Sequence, residues 1–432
     1  MAPFRGEGTV LVSDSDEGVP ADGDPTVDDG RSGAFDHLFT ETVRRGLGEE
    51  GYGSWRSIDA PGAVSLSFGF PYPASFPNDE LVDAAEAVFE AEGDTALQYG
   101  GGDYADRLVG AVAERERRRG IDCGTENVLL TNGATHAIDV VCQTFLERGD
   151  GVFVEAPTFM GTLKLLNNYG AEVTGFENDA DGLRVDAVAA ELEARREAGD
   201  GLPKLLYTIP TFQNPTGTTL SLERRERLLG LAEEYDFVVL EDDAYGELRY
   251  SGEDVPPLAA LDDSGRVVRV NTFSKTVAPG VRSGWVLGEA EIVEEVTRMR
   301  AGGVNTFTQS VLGKYCTEGR FDENVEELRA SYEERCEHML DCLEAHMPPG
   351  TDWTEPAGGF FVWVELPGGI DAEELLPAAA EEGVTYLPGH LFFPDDRGSN
   401  CLRLSFSHVS PEEMDRGIEA LARATRSAMG GD

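Results

Sequence analysis

Lysine is nearly absent from this chain. Among 35 lysines and arginines in 432 residues, only Lys164, Lys204, Lys275 and Lys314 are lysines. Arginine therefore supplies almost all the positive charge, and arginine cannot form a Schiff base, whereas a desolvated lysine amine can. Positive charge as a whole is also short: 81 acidic residues leave a formal net charge of −46. That balance excludes nucleic acid and anionic membrane surfaces as partners, because phosphate contacts need a basic face. The six cysteines show no C-x-x-C and no zinc spacing. They read as reduced, mostly buried thiols of a cytoplasmic protein, and no metal is expected. The start, M-A-P-F-R-G-E-G, has no apolar signal core, and no apolar run approaches bilayer-spanning length.

What is present is enough for a folded protein of two packed units. The length exceeds what one hydrophobic core usually supports, and 41% of the residues are hydrophobic. The acidic, lysine-poor composition resembles that of cytosolic halophile proteins, in which high salt screens self-repulsion.

Residues 1–33, rich in Asp, Gly, Ser and Pro, read as a loose acidic leader. Helices are expected over Phe35–Gly46, over Asp79–Glu92 and, after a Gly-rich loop at Leu97–Tyr104, through Arg119, with turns forced by Gly and Pro across Ser65–Pro77. From Asn127 the chain alternates. Strands are expected at Asn127–Thr131, Val152–Glu155, Glu172–Phe176, Lys204–Ile209, Phe237–Asp242, Val267–Val270 and Gly284–Leu287. Helices at Ala134–Leu146, Thr158–Tyr169, Val185–Ala198, Leu222–Tyr235 and Ala290–Met299 separate most of them. Near-continuous apolar strands alternating with helices predict an α/β fold with a mainly parallel sheet covered on both faces. A long helix over Asp322–His346, short strands at Phe360–Leu366 and Cys401–Ser407, and a last helix over Pro411–Met429 suit a smaller α+β unit.

Chemistry gathers at the strand ends, where open α/β sheets commonly carry it. Lys275 lies just past V-V-R-V, beside Thr272 and Ser274 and seven residues before Arg282. T-N-G-A-T-H (Thr131–His136) sets a glycine turn before a helix, so the N–H groups of Ala134 and Thr135 offer an anion site. T-I-P-T-F-Q-N-P-T-G presents Asn214, and E-D-D-A-Y ends an apolar run at Asp242 with Tyr245 three residues on. Arg403, inside L-R-L-S-F, is a cation able to hold a carboxylate in two places. Each has an ordinary reading as a turn, a surface acid or a surface ion pair. Together they suit pyridoxal 5′-phosphate, PLP.

The ordered set N-T-F-S-K-T-V-A-P-G-V-R, N-P-T-G, D-D-A-Y and L-R-L-S-F resembles the fold-type I PLP enzymes, class I/II aminotransferases, over residues 34–421. The nearest likeness is to the branch of 2-aminoadipate aminotransferases and MocR-type effector domains. The resemblance implies a large domain, 93–303, built on a seven-stranded sheet, and a small domain combining 34–92 with 304–432. It implies that Lys275 holds PLP as a Schiff base and that Asp242 pairs with the ring nitrogen. Asn214 and Tyr245 would bind the ring oxygen, with Phe159 stacked on the ring. Ala134, Thr135, Thr272, Ser274 and Arg282 would hold the phosphate, joined by Tyr99 of a neighbouring subunit in a homodimer. Gly69, Asn214 and Arg403 would meet the substrate, and the Asn214–Pro215 bond would be cis. Where that branch reads G-G-L-P, this chain reads Phe68-Gly69-Phe70-Pro71. The two aromatics favour an aromatic or aliphatic amino donor over 2-aminoadipate, or narrow the pocket. A PLP-dependent decarboxylase or lyase is the alternative reaction. A PLP-sensing regulator is the other, although the residues before Ala34 are too few and too acidic for a DNA-binding domain.

Overall fold

The computed structural model describes residues 35–40, 42 and 60–430. The expected leader lies outside them, and so do residues 41 and 43–46 of the expected helix Phe35–Gly46, of which Asp36–Leu38 forms a 3-10 turn. By contact, the chain divides into Met1–Glu41 and one compact unit, Thr42–Asp432.

All seven expected strands of the large sheet are present. They run, edge to edge, Val128–Thr131, Gly284–Leu287, Val267–Thr272, Val238–Asp242, Leu205–Thr208, Gly151–Ala156 and Glu172–Asp179. An eighth, Gly182–Leu183, folds back antiparallel on the last. A two-residue strand has too little pattern to be read from sequence. The pairings from Val267–Thr272 to Glu172–Asp179 are parallel, whereas Gly284–Leu287 is antiparallel to both neighbours. The central strands are buried along their length because helices cover both faces, which is why they read as continuous apolar runs.

Three helices escape the sequence pattern, the shortest of them the single turn Leu258–Leu261. Thr306–Thr317 (T-F-T-Q-S-V-L-G-K-Y-C-T) is poor in strong helix formers. Packing holds it: Gly313 lies so close to Asp103–Arg118 that a Cβ there would meet the Tyr104 carbonyl at 1.9 Å. Its first turn is capped by Asn305, whose side chain accepts from the Thr308 N–H at 3.0 Å. Ala372–Glu382 contains Pro377 and was hidden by it. Helix Asn78–Glu92 also packs beside Thr306–Thr317, in a core with Leu108, Trp285 and Phe273.

A second core gathers around the antiparallel sheet Asp352–Trp353, Phe361–Glu365, Cys401–Ser405 and Leu387–Pro388. Helices Arg320–His346, Ala372–Glu382 and Pro411–Ala428 cover it. Val64–Ser65 returns to this part, pairing in parallel with Val384–Thr385. The peptide bonds Ala156–Pro157 and Asn214–Pro215 are cis, the second as expected.

Candidate active site

Four parallel strands end at the same edge, at Ala156, Thr208, Asp242 and Thr272. The segments that leave them line one cavity of about 370 Å³. Twelve expected residues meet there: Gly69, Ala134, Thr135, Phe159, Asn214, Asp242, Tyr245, Thr272, Ser274, Lys275, Arg282 and Arg403. Tyr99 does not. It is 98% exposed and lies outside the cavity of its own chain.

Lys275 follows the strand Val267–Thr272 and its Nζ donates to the Gly69 carbonyl at 2.8 Å. The amine stands 5.7 Å from the centre of the Tyr245 ring and 5.6 Å from that of Phe360. Loss of hydration, reinforced by the nearby Arg403 charge, pushes this ammonium down to about 8. A neutral amine is thereby within reach at physiological pH, which an ordinary lysine does not offer.

Asp242 is buried at the end of its strand. Its Oδ2 accepts from the Tyr207 hydroxyl at 2.8 Å, while Oδ1 has no partner. Burial pushes the carboxyl up to about 6, against the pull of the Tyr207 hydrogen bond. A buried acceptor without a donor is costly unless something brings one. Burial likewise raises the Tyr245 phenol, which packs edge-on against Phe360 and Phe361.

At the other end of the cavity Gly133, with φ of 89°, turns the chain into helix Ala134–Phe145. The first N–H groups of that helix have no intrahelical acceptor. Thr272 and Ser274 face one another with hydroxyls 2.8 Å apart. Arg282 adopts the left-handed region at φ of 45°, uncommon for a side chain of its size. Its Nη2 donates to the Asn132 carbonyl at 3.1 Å and lies where a Gly133 Cβ would stand, 2.8 Å away. N–H donors, hydroxyls and a guanidinium make a site for a dianion such as phosphate.

Arg403 reaches the cavity from the smaller sheet. It is buried, donates to Asn214 Oδ1 at 2.8 Å and to the Ser67 carbonyl at 2.6 Å, and leaves Nε unpartnered. Its guanidinium lies 4.1 Å from the centre of the Phe361 ring. Desolvation pushes it down to about 10. No carboxylate among the described residues forms an ion pair with it, so a ligand carboxylate is the natural counter-charge. The strip from Phe68 to Phe70 closes this side, with the two rings stacked at 5.1 Å and 11°.

Sequence reasoning missed Tyr207, Phe361 and Leu387. It also missed Glu155, buried behind the site, whose carboxylate accepts from Thr208, Ile209 and Gln213. Burial pushes Glu155 up to about 7. Of these, Tyr207 had a signal: a phenol inside an otherwise apolar strand needs a partner, and an acid ends the adjacent strand.

Residues 66–421 match the family model described as Aminotransferase class I and II. The chain is 38% identical over 376 residues to an aromatic-amino-acid aminotransferase of Thermococcus litoralis, covering 86% of this chain and 90% of the relative. It is 34% identical to a 2-aminoadipate transaminase of Thermus thermophilus, over 85% of this chain and 91% of the other. Among solved structures it superimposes on a kynurenine aminotransferase of Pyrococcus horikoshii, crystallised with PMP, at a TM-score of 0.85. Identity there is 34%, over 92% of this chain and 99% of that one.

Proposed function

The chain belongs to the class I and II aminotransferases, fold-type I enzymes dependent on PLP, and we propose that its amino donors carry large neutral side chains, aromatic ones foremost. When bound, the cofactor supplies a carbonyl that takes up amino groups and a ring that accepts electrons as the substrate Cα–H bond breaks.

The residues present suit that group. The orphaned Asp242 Oδ1 is an acceptor for a protonated ring nitrogen, and keeping that nitrogen charged is the role we assign to it. Asn214 and Tyr245 would donate to the ring oxygen, and Phe159 would cover a ring face. The turn at Gly133 with Ala134, Thr135, Thr272, Ser274 and Arg282 would hold the phosphate. Lys275 would hold the cofactor through its amine. Once freed by the incoming amino group, it would take and return the proton from the substrate Cα. Arg403 would clamp the α-carboxylate beside Gly69 and Asn214.

The observation that carries the substrate class is a count of cations. Lys275, Arg282 and Arg403 are the cavity's only positive side chains among the described residues. With one on the cofactor, one on the phosphate and one on the α-carboxylate, none remains for a second carboxylate. Instead the wall offers Phe68, Phe70, Met160, Phe361 and Leu387. An unpaired carboxylate there would cost several kcal/mol, of order the penalty for a buried ion. The test is a donor panel at high salt. Phenylalanine, tyrosine and leucine should exceed glutamate and 2-aminoadipate at least tenfold in kcat/KM. Preference for either acidic donor would overturn the assignment.

The wider reading is of a cytoplasmic homodimer adapted to high salt, with neither nucleic acid nor membrane as partner. It rests on the charge of −46 and the full exposure of Tyr99, which would serve the partner subunit's phosphate site. No described helix is long and apolar enough to cross a membrane. The domain division is likewise our proposal: 93–303 as the large PLP-binding domain, 34–92 and 304–432 as the smaller one.

A further inference from the structure

Over the smaller sheet, helices Arg320–His346 and Pro411–Ala428 pack side by side. Three unlike donor atoms meet between them. His338 and Cys342 are four residues apart on the first helix, a spacing that puts both on one face. Asp415 comes from the second helix. Its Oδ1 lies 2.9 Å from His338 Nε2 and 3.1 Å from Cys342 Sγ, and the three ligand atoms all fall within 4.8 Å of one another. Cys342 is buried, whereas the His338 and Asp415 side chains are 34% and 50% exposed. The cluster thus has a dry sulfur at its base and an open side toward solvent. None of the three lines the cavity around Lys275.

We propose that His338, Cys342 and Asp415 bind one divalent ion of the zinc type, with solvent completing the coordination. Metal–ligand bonds of about 2.0–2.3 Å in a tetrahedron set neighbouring ligand atoms roughly 3.4–3.6 Å apart. The two short contacts seen here would widen by a few tenths of an ångström, roughly what a small rotamer adjustment of the two exposed side chains gives. One sulfur, one imidazole and one carboxylate select against magnesium and calcium, which take oxygen shells, and suit zinc or cobalt. On binding, the Cys342 S–H bond breaks, its proton passes to solvent and a sulfur–metal bond forms, with no change of oxidation state. The metal would tie together two helices whose ligands are 73 and 77 residues apart in sequence. Its role would be to stabilise the core of the smaller sheet.

The test uses the holoenzyme, stripped with chelator and exchanged into high-salt buffer to suppress adsorption of cations on an acidic surface. It is titrated with cobalt(II) and then zinc(II). One cobalt per chain should bind with thiolate-to-metal absorption, and zinc should displace it. Cys342→Ser should abolish that absorption, and His338→Gln should weaken binding at least tenfold. Cys336→Ser, on the same helix but outside the cluster, should change neither. If Cys342→Ser fails to fold, His338→Gln gives the deciding measurement, since its side chain is one-third exposed. Absence of stoichiometric cobalt absorption would overturn the proposal. So would binding that survives unchanged in His338→Gln, which would mark surface adsorption only.

Discussion

Tyr207 donates its hydroxyl to Asp242 across 2.8 Å and saturates one oxygen of that carboxylate, leaving the other, Oδ1, without a partner in a dry cavity. The pair fixes the direction of the carboxylate and keeps one acceptor open for a ligand cation. A strand-end acid supported from the next strand is a rigid support, and rigid supports are what electrostatic stabilisation of a transition state requires.

The first expectation follows from that carboxylate. Asp242→Asn should lower turnover by about 10³-fold, the scale of losing one strong electrostatic stabiliser. Its effect on the apoprotein should have the opposite sign. Because the folded carboxyl is pushed up to about 6, folding favours its protonated form. Its contribution to stability is therefore present below the unfolded value of about 4 and lost as pH rises through 6. At pH 8 the Asn variant should unfold no earlier than the parent apoprotein, and roughly 2–3 kcal/mol later if the full shift is recovered. Thermal melts of cofactor-free protein at pH 5 and pH 8 check this. A variant less stable at pH 8, with near-normal turnover, would contradict the role.

Lys275 should be the sole attachment point of the cofactor. Borohydride reduction followed by peptide mapping should label Lys275 and none of Lys164, Lys204 and Lys314. The pH dependence is a second measurement. Capture of PLP by apoprotein needs the neutral amine, so its rate should rise with pH through a midpoint near 8, where desolvation and Arg403 place Lys275. A midpoint near 10, or label on another lysine, would refute the assignment.

Arg403 makes two fixed hydrogen bonds, to Asn214 and to the Ser67 carbonyl, and lies against the Phe361 ring. Lysine has neither the planar fork nor the stacking face. Arg403→Lys should therefore raise the amino acid KM by one to two orders of magnitude, comparable to a charge-assisted bond of about 1.5–3 kcal/mol. PLP affinity should stay within a few-fold. Steady-state kinetics with a spectroscopic titration of the cofactor separates the two effects. Equal losses of both would make Arg403 a general structural support.

Asp242 and Lys275 were legible in the sequence because each stands at or just past the end of an apolar strand, and Arg403 because it interrupts the alternating L-R-L-S-F. Asp242 follows V-V-L-E, and Lys275 follows V-V-R-V-N-T-F-S. The supports behind them were not legible. Glu116 belongs to a helix that reads as solvated, yet it is buried and accepts from Arg269 at 3.1 Å and from Trp285 at 2.8 Å. Arg269 also pairs with Asp243 and Glu241. In a chain with 81 acids, nothing local marks the few that are buried, and their partners lie as far as 169 residues away. Helix Thr306–Thr317 failed for a related reason: its stability comes from the helix it touches rather than from its own residues.

The last expectation concerns salt. With 81 acidic against 35 basic residues, like charges crowd the surface and any face joining two copies of the chain. Their repulsion shortens in range as the Debye length falls from about 10 Å at 0.1 M to about 3 Å at 1 M. Against it stand exposed apolar groups, among them Phe89, Leu97 and Tyr99, which lose water if a partner covers them. That apolar gain changes little with salt compared with the charge term, so dilution should tip the balance toward separate chains. Because Tyr99 lies outside its own cavity and is assigned to the partner's phosphate site, PLP should leave as the dimer parts. Sedimentation and cofactor absorbance followed together from 3 M to 0.1 M salt should show the two losses at the same midpoint. Tyr99→Phe should weaken PLP retention several-fold while leaving the sedimentation midpoint in place, since it removes a hydroxyl and keeps the ring. A dimer that stays whole and holds its cofactor at 0.1 M salt would exclude this coupling.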